Sequence, residues 1–360
     1  MVARTILLAS APSGLHLRVE ASPVYDFLAA LFVVHRHGSS LSFDVPRAWV
    51  TSARRALGPA MRRFLARVVG PRAFVLSLVS LLDRRPQETA IPAFIEEVGR
   101  LPADELVLLL LASARGARRA RQALREVLTA RGVDREVALR RFAEAFPEEL
   151  GRPQALALAR LDPMELKAQL VQLLQHFYEA VYAPEEERVR PLLLEDAHRK
   201  RRRALKLPPE AFVEEVTGGL ALDPTMAAEV VVAPSYFVRP YNLIADHGDV
   251  RTYITPIGSE AAAADPEEVV LRAAKALADA TRLRILRLVS EQEMYVQQIA
   301  EVLGASHVTV LHHLATLRAA RLVRAVERRN LKYYALRPEG LAELEAALVR
   351  VLPVDRRPER

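Results

Sequence analysis

A tight turn, Gly304-Ala305-Ser306, separates two runs of apolar residues that both recur at helical spacing, one before Leu303 and one after Ser306. Glycine readily adopts the left-handed backbone conformation that ends a helix, and serine is a preferred N-cap for the helix that follows. Two helices joined by so short a turn predict a helix-turn-helix at this point in the chain.

The elements around this turn complete a larger pattern. Asp265 stands as a cap before an amphipathic run, a second helix is predicted to start at Asp279, and a last amphipathic helix is predicted from Pro338 to about Val351. Between them, the strand-like runs VRAV and KYYAL flank a polar tip at residues 327–330. Helix, tight turn, helix and hairpin together predict a winged helix-turn-helix over residues 265–352.

The second helix of the turn has two different faces. Val310, Leu314 and Leu317 are predicted to point into the core, which leaves short polar side chains outside at the helix N-terminus, where they suit the major groove of DNA. Basic residues at the far end of the helix and on the wing would meet phosphates. The residues predicted to contact DNA are Ser306, His307, Thr309, Leu311, His312, His313, Arg318, Arg321, Arg328, Arg329 and Lys332.

The C-terminal quarter resembles the ArsR-type winged-helix regulators. The motifs that carry the resemblance are LADATRLRIL, the recognition helix S-x-x-T-V-x-H-H-L and the wing LV…YYAL. The resemblance implies a homodimeric, DNA-binding transcriptional regulator, often a repressor released by an effector. Where metal-sensing members carry Cys-Val-Cys, this chain has Tyr295, Val296 and Gln297, so that thiolate site is absent, and Leu311 replaces a common serine.

The remaining N-terminal region has a mixed pattern. LHLRVE alternates like a strand, Ser22-Pro23 opens a helix, residues 51–206 are helical in pattern, and residues 207–258 are typical of strands with a hairpin turn at 246–249. The segments LHLRVEASPVYDFLAAL and VVVAPSYFVRPYNLI weakly resemble a domain that precedes this module in some bacterial regulators. The fold class is therefore mostly α with minor β: a helical N-terminal region closed by a small β segment, plus the C-terminal winged helix-turn-helix. The predicted boundaries are 1–258 for an effector or interaction domain, 259–264 for a linker, 265–352 for the DNA-binding domain and 353–360 for a tail.

Composition limits the class of protein. Hydrophobic residues make up 51% of the 360 residues, and the net charge is +7, so the chain can bury sizeable cores and suits an anionic partner. Cysteine is absent, which excludes disulfides and thiolate metal sites. The apolar run in residues 1–14 is too short for a signal peptide and favours an edge strand. We expect a soluble, cytoplasmic protein with no catalytic site, metal or cofactor.

Several motifs have more than one interpretation. His307, His312 and His313 lack the i, i+4 spacing and acidic partners of a zinc site. The run HRKRRR at 198–203 could touch phosphates, although the solvated end of a helix starting near Pro191 is favoured. Aromatic residues at Phe27–Phe32, 177–178, 182, 236–237 and 241 could line a pocket for a small-molecule effector or simply form a core. As an alternative to DNA binding, the winged helix could serve as a protein-interaction or dimerisation module without a specific DNA target.

Overall fold

The structure, a computed structural model, describes residues 15–38, 41, 43–69, 74–84, 90–112, 118–146, 151–223, 225, 227–258, 265–328 and 331–352. The predicted N-terminal edge strand, the linker at 259–264 and the tail at 353–360 lie outside these residues. Contacts within the chain define two compact units: the first contains residues 16–198 and 228–257, and the second contains residues 199–227 and 258–360.

Helices dominate the described residues, as the sequence predicts. Their bounds are α1 Pro23–Arg36, α2 Arg47–Val69, α3 Ile91–Arg100, α4 Ala103–Ala112, α5 Arg118–Thr129, α6 Gly132–Ala145, α7 Arg152–Ala159, α8 Pro163–Phe177, α9 Ala183–Ala204, α10 Pro209–Thr217, α11 Pro266–Leu277, α12 Ala280–Glu291, α13 Val296–Leu303, α14 His307–Ala319 and α15 Pro338–Val351. A 3-10 helix, Phe74–Arg84, follows α2, and a π-helical turn, Tyr178–Tyr182, joins α8 to α9. No single described helix is both long and apolar enough to cross a membrane; α2 and the 3-10 helix, bent by 74°, reach that limit only as a pair.

The strands are β1 His16–Val19, β2 Leu220–Ala221, β3 Glu229–Ser235, β4 Leu243–His247, β5 Val250–Pro256, β6 Met294–Tyr295, β7 Val323–Arg328 and β8 Leu331–Leu336. The first unit contains one sheet in the order β1-β3-β5-β4, in which only β4 runs antiparallel to its neighbour. The β4–β5 hairpin turns at Gly248, with a φ of 54°, where the sequence predicts it.

The core of the first unit is built around α1. Ser22 caps this helix as predicted, since its side chain accepts a hydrogen bond from the Val24 amide, and α1 packs on β3 and β5. Asp26 is completely buried on α1. Its carboxylate accepts hydrogen bonds from the Ser235 hydroxyl at 2.5 Å, the Tyr182 hydroxyl at 2.8 Å and the Tyr236 amide at 2.8 Å. A buried carboxylate with three donors holds α1 to the end of β3.

Two predictions about residues 183–222 need correction. The HRKRRR run lies at the end of a helix, as the sequence favours, but α9 begins at Ala183 and carries Pro191 within it, and Lys200 of the run is buried. Residues 209–217, predicted to belong to the β part, form α10, because Phe212, Val213 and Val216 recur at helical spacing and are fully buried. Both α10 and β2 belong to the second unit, whereas the domain boundaries near 258 and 265 remain a prediction.

The second unit contains the winged helix. Helices α12, α13 and α14 surround a core that continues into a sheet of order β2-β7-β8-β6, and α11 packs along α15. Strands β7 and β8 form the antiparallel wing, with Ala325 opposite Tyr334, and β6 pairs with the other edge of β8. The predicted helix-turn-helix and wing are thus both present.

A candidate nucleic-acid interface

The turn between α13 and α14 has the predicted geometry. Gly304 adopts a φ of 63° at the end of α13, and the Ser306 hydroxyl accepts a hydrogen bond from the Thr309 amide at 3.1 Å. Val310, Leu314 and Leu317 are each at most 1% exposed. These three aliphatic residues fix the rotation of α14 about its axis and so determine which side chains face away from the core.

The outer face of α14 is exposed along its N-terminal half. Ser306, His307, Thr309 and His312 are all exposed, and the Ser306 and Thr309 hydroxyls lie 2.8 Å apart. Two aliphatic side chains share this face, Val308 at 69% exposure and Leu311 at 40%. Val308 was not predicted as a site residue, although its position two residues before Val310 places it on the outward side of the helix. The face therefore combines hydroxyl, imidazole and methyl groups.

His313 is turned away from this face. Its side chain is only 13% exposed, and its Nδ1 atom lies 4.0 Å from a carboxylate oxygen of Asp279, the N-cap of α12. Burial is the main cause that lowers the pKa of His313, and Asp279 opposes that shift only in part. The imidazole packs against the start of α12, so we leave His313 out of the interface proposed below.

Arg321, predicted to meet a phosphate, is held within the protein. Its side chain is 14% exposed, its Nε donates to Glu343 at 2.9 Å, and its Nη1 donates to the Glu215 carbonyl at 3.3 Å. A guanidinium with these two acceptors has little left to offer a phosphate, so Arg321 is also left out. Arg318, at the end of α14, keeps intermediate exposure.

The wing is the second part of the predicted interface. Lys332 is exposed on β8 and lies opposite Glu327 in the β7–β8 register. The side chain of Arg328 and the whole of Arg329 lie outside the described residues. On β7, Arg324 forms an ion pair of 3.7 Å with Glu293. The described part of the wing therefore contributes Lys332 as an exposed cation near its tip.

The position of the absent thiolate motif is occupied by packing residues. The Tyr295 ring lies 5.8 Å from the Tyr333 ring across the β6–β8 pair, and Val296 is buried. Among the residues that the structure describes, no group of three or more histidine and acidic side chains is placed to hold a metal ion.

The aromatic residues of the first unit pack against one another. The Phe27 ring lies 5.7 Å from Phe177 and 5.5 Å from Tyr182, and Tyr182 lies 6.0 Å from Phe237. All four are buried, so these rings form a core. A groove of about 310 Å³ lies elsewhere, between α2 and α8. Its lining residues are Ala60, Met61, Arg63, Phe64, Arg67, Gln169 and Gln172.

Together, the capped α14, its tight turn and the β7–β8 hairpin define the second unit as a winged helix-turn-helix, a fold class of DNA-binding modules. The sequence profile described as "Bacterial regulatory protein, arsR family" matches residues 279–325, which run from the cap of α12 into β7. The chain is 38% identical over 76 residues to the HTH-type transcriptional regulator KmtR of Mycobacterium tuberculosis. It is 37% identical over 86 residues to the HTH-type transcriptional regulator CmtR of Mycobacterium bovis.

The family profile lies in the C-terminal part of the chain, and each of the two relatives matches less than a quarter of the chain. The KmtR match covers 21% of this chain and 58% of KmtR, and the CmtR match covers 24% of this chain and 73% of CmtR. The chain belongs to the ArsR family of bacterial regulatory proteins.

Proposed function

We propose that this protein is a sequence-specific, DNA-binding transcriptional regulator that reads base edges with the N-terminal half of α14. The observation that carries the proposal is the division of this helix into a buried aliphatic face and an exposed face. The exposed residues, His307, Val308, Thr309, Leu311 and His312, include polar side chains that can bond to base edges and methyl groups that can contact thymine. The names of the related regulators support the same class of function.

Phosphate contacts are assigned to other groups. The N-terminus of α14, with Ser306 as its cap, presents backbone amides and the positive end of the helix dipole to an anion. Arg318 at the C-terminal end of α14 and Lys332 on the wing complete the set, to which Arg328 and Arg329 belong by sequence. Such contacts orient the protein on the duplex and give binding its salt dependence without selecting a sequence.

We further propose that the regulator is a homodimer that binds an imperfect palindrome as a repressor. Helices α11 and α15 pack together and leave large aliphatic side chains in solvent. These exposed side chains are Leu271 on α11, Leu341, Leu348 and Val349 on α15, and Leu352 directly after α15. Pairing two copies through this surface would bury them, and a two-fold dimer presents two recognition helices about 34 Å apart to successive half-sites. A dimer bound over a promoter would exclude RNA polymerase.

A small-molecule effector is proposed to bind the first unit in the groove between α2 and α8. Its lining residues include Phe64, which is buried, and Arg63 and Arg67, which are exposed. The volume of about 310 Å³ lies at the lower end of the range for small-molecule sites. This composition suits a small anion with an apolar part.

Selection of bound sequences from a random DNA duplex pool tests the regulator proposal. We expect enrichment of one motif with two related half-sites, and an affinity for that motif that falls steeply with salt. If no motif is enriched and binding at low salt does not exceed that of a neutral control protein, the winged helix is a protein-interaction module instead.

A further inference from the structure

The outer edge of the wing sheet is covered by a strand from far upstream in the chain. Strand β2 runs parallel to β7, with Leu220 opposite Ala325 and Ala221 opposite Val326. The Ala325 amide donates to the Gly219 carbonyl at 2.8 Å. In the order β2-β7-β8-β6, strand β7 would be an edge strand without β2. The wing therefore belongs to a sheet completed by residues outside the region that the family profile matches.

Residues 209–222, here called the strap, are firmly packed. Helix α10 buries Phe212, Val213 and Val216 completely. It ends in two consecutive glycines with positive φ, Gly218 at 70° and Gly219 at 105°. A Cβ on Gly219 would lie 3.2 Å from Arg324 Cα, tighter than most contacts of a real Cβ, and the φ of Gly219 is one that other residues rarely adopt. A side chain at this position would therefore strain the close approach of the strap to β7.

Arg321 lies where the strap, the end of α14 and the start of α15 meet. Among the described residues, Arg321 is the one non-glycine residue with a positive φ, 61°. Its carbonyl oxygen would lie only 1.9 Å from a Cβ added to Gly340. Its guanidinium bonds to Glu343 of α15 and to the Glu215 carbonyl at the end of α10. Arg337 donates to the same Glu343 carboxylate at 2.8 Å.

The charges at this junction depend on one another. Burial, the largest influence, would raise the pKa of Glu343, yet hydrogen bonds and charges from Arg337 and Arg321 hold that pKa below its usual value. Burial lowers the pKa of Arg321, and Glu343 opposes that shift. One carboxylate thus stabilises two buried guanidinium groups, and removing it would take this stabilisation from both.

We propose that the strap is a functional part of the DNA-binding unit and that Arg321 is a positioning residue. Together they fix the angle of the wing relative to α14. A change in the upstream chain that withdraws the strap would release the edge of β7 and weaken the wing's phosphate contacts. Glu343 and Gly340 place α15 in the same junction, so the aliphatic surface on α15 and the wing are held by one set of contacts. The DNA-binding consequence rests on the proposed function, whereas the structural coupling does not.

Hydrogen exchange in the full-length protein tests the coupling without DNA. In Gly219→Ala, the Ala325 amide should exchange about tenfold faster or more than in the wild type, because its acceptor is displaced. Gly248→Ala is the matched control: Gly248 also has positive φ, 54°, but a Cβ added there would meet no atom within 4 Å, and Ala325 should stay protected. Equal protection of Ala325 in both variants would overturn the proposal.

Variants at the junction test the consequence for DNA. Arg321→Lys keeps the charge but cannot bridge two acceptors as a guanidinium does, and Glu343→Gln removes the anion. Each should bind the selected duplex about fivefold to tenfold more weakly, with the slope of log affinity against log salt reduced by about one. Both should also speed exchange at Ala325. A loss of affinity with unchanged slope and unchanged exchange would mean that Arg321 has a structural role only.

The two proposals can fail separately. If the wild type binds no duplex, the proposed function fails while the exchange experiment still decides the coupling. If the wild type binds a motif and the junction variants bind it equally well with the same salt slope, the positioning role of Arg321 is refuted.

Discussion

Two polar side chains on α14, Thr309 and His312, are predicted to read bases. We expect Thr309→Ala and His312→Ala each to cost about 1–3 kcal/mol of binding free energy on the selected motif and much less on random duplex. The reason is that a base-edge contact exists only on the correct sequence. Competition titrations with matched and scrambled duplexes at one salt concentration measure the difference.

Two variants serve as comparisons for this prediction. Ser290→Ala removes an exposed hydroxyl that bonds to the Arg287 carbonyl at the end of α12, and it should leave binding unchanged. Lys332→Ala should weaken matched and scrambled duplexes alike, since a phosphate contact is independent of sequence. Equal losses for Thr309→Ala on both duplexes would show that this threonine reads no base.

Asp26 gives a prediction about pH. Burial raises the pKa of its carboxyl to about 6, against hydrogen bonds from Ser235 and Tyr182 that lower it. In the unfolded chain the pKa of an aspartate carboxyl is about 3.9. Between these values the folded state keeps a proton that the unfolded state has lost, so Asp26 makes the free energy of unfolding fall as pH rises from about 4 to about 6.

The contribution of Asp26 is on the order of 2 to 3 kcal/mol across that interval. Asp26→Asn should remove it, and urea unfolding at several pH values measures the change in slope. The exposed carboxylate of Asp44 provides the comparison, because Asp44→Asn should leave the slope as it is in the wild type. An unaltered slope in Asp26→Asn would assign the pH dependence to other groups.

For single side chains, the sequence predicts burial correctly where burial follows the helical period. Val310, Leu314 and Leu317 follow a single helical stripe, and the structure buries all three. The burial of Arg321 could not be predicted in this way, because it depends on a positive φ and on partners at 215 and 343. The packing of His313, which the sequence places among the DNA contacts, could not be predicted for a similar reason: its neighbour Asp279 is the N-cap of another helix.

Among the elements, the turn before α14 depends most on one residue. Gly304 has a φ of 63° and open space where a Cβ would lie. Gly304→Ala should therefore destabilise the protein by about 1 kcal/mol through backbone strain and without a steric clash. Gly304→Asn should cost less, since asparagine tolerates this conformation better than alanine does.

Urea unfolding of the two Gly304 variants measures these costs. If alanine and asparagine prove equally destabilising by several kcal/mol, a packing contact and not the backbone conformation must govern the turn.

The elements that sequence reasoning assigned wrongly are short or interrupted. Helix α10 has a proline at its start, apolar residues at helical spacing and Gly218 at its end, a signal that the strand-rich segment after residue 228 obscured. Strand β2 has two residues, too few to show any alternation. Its pairing with β7 depends on tertiary contact, which no local pattern records.

For the whole molecule, the proposed homodimer gives a prediction about assembly. Leu271 on α11 is 60% exposed and Leu348 on α15 is 37% exposed. Leu271→Glu and Leu348→Glu should each weaken dimerisation by about tenfold or more, because they place a charge in an apolar contact. Sedimentation equilibrium measures the dissociation constant, and affinity for a two-half-site duplex should fall with it.

Val133→Glu is the matched control for assembly. Val133 is an exposed aliphatic residue on α6 in the first unit, so this change adds the same charge away from α11 and α15. It should leave the oligomeric state unaltered. A wild-type protein that sediments as a monomer and still binds a single half-site would contradict the dimer.

The sequence predicted the fold class and the winged helix because strong local signals, namely caps, a glycine turn and apolar periodicity, coincide there. The role of the first unit could not be predicted. Its buried polar centre at Asp26 is assembled from residues at 26, 182 and 235. Of its aromatic residues, Phe27, Phe177, Tyr182 and Phe237 turned out to be core. The groove between α2 and α8 depends on how two helices pack, which the sequence does not encode locally.

The completion of the wing sheet by β2 has a consequence for dissecting this protein. A fragment of residues 265–352 would keep every part of the winged helix but leave the Ala325 amide and its neighbours on β7 without their upstream strand. Strand edges with unpaired backbone groups tend to pair with one another. Such a fragment should therefore self-associate in a concentration-dependent way. Adding a peptide that spans residues 209–222 should reduce this self-association, and light scattering measures both effects.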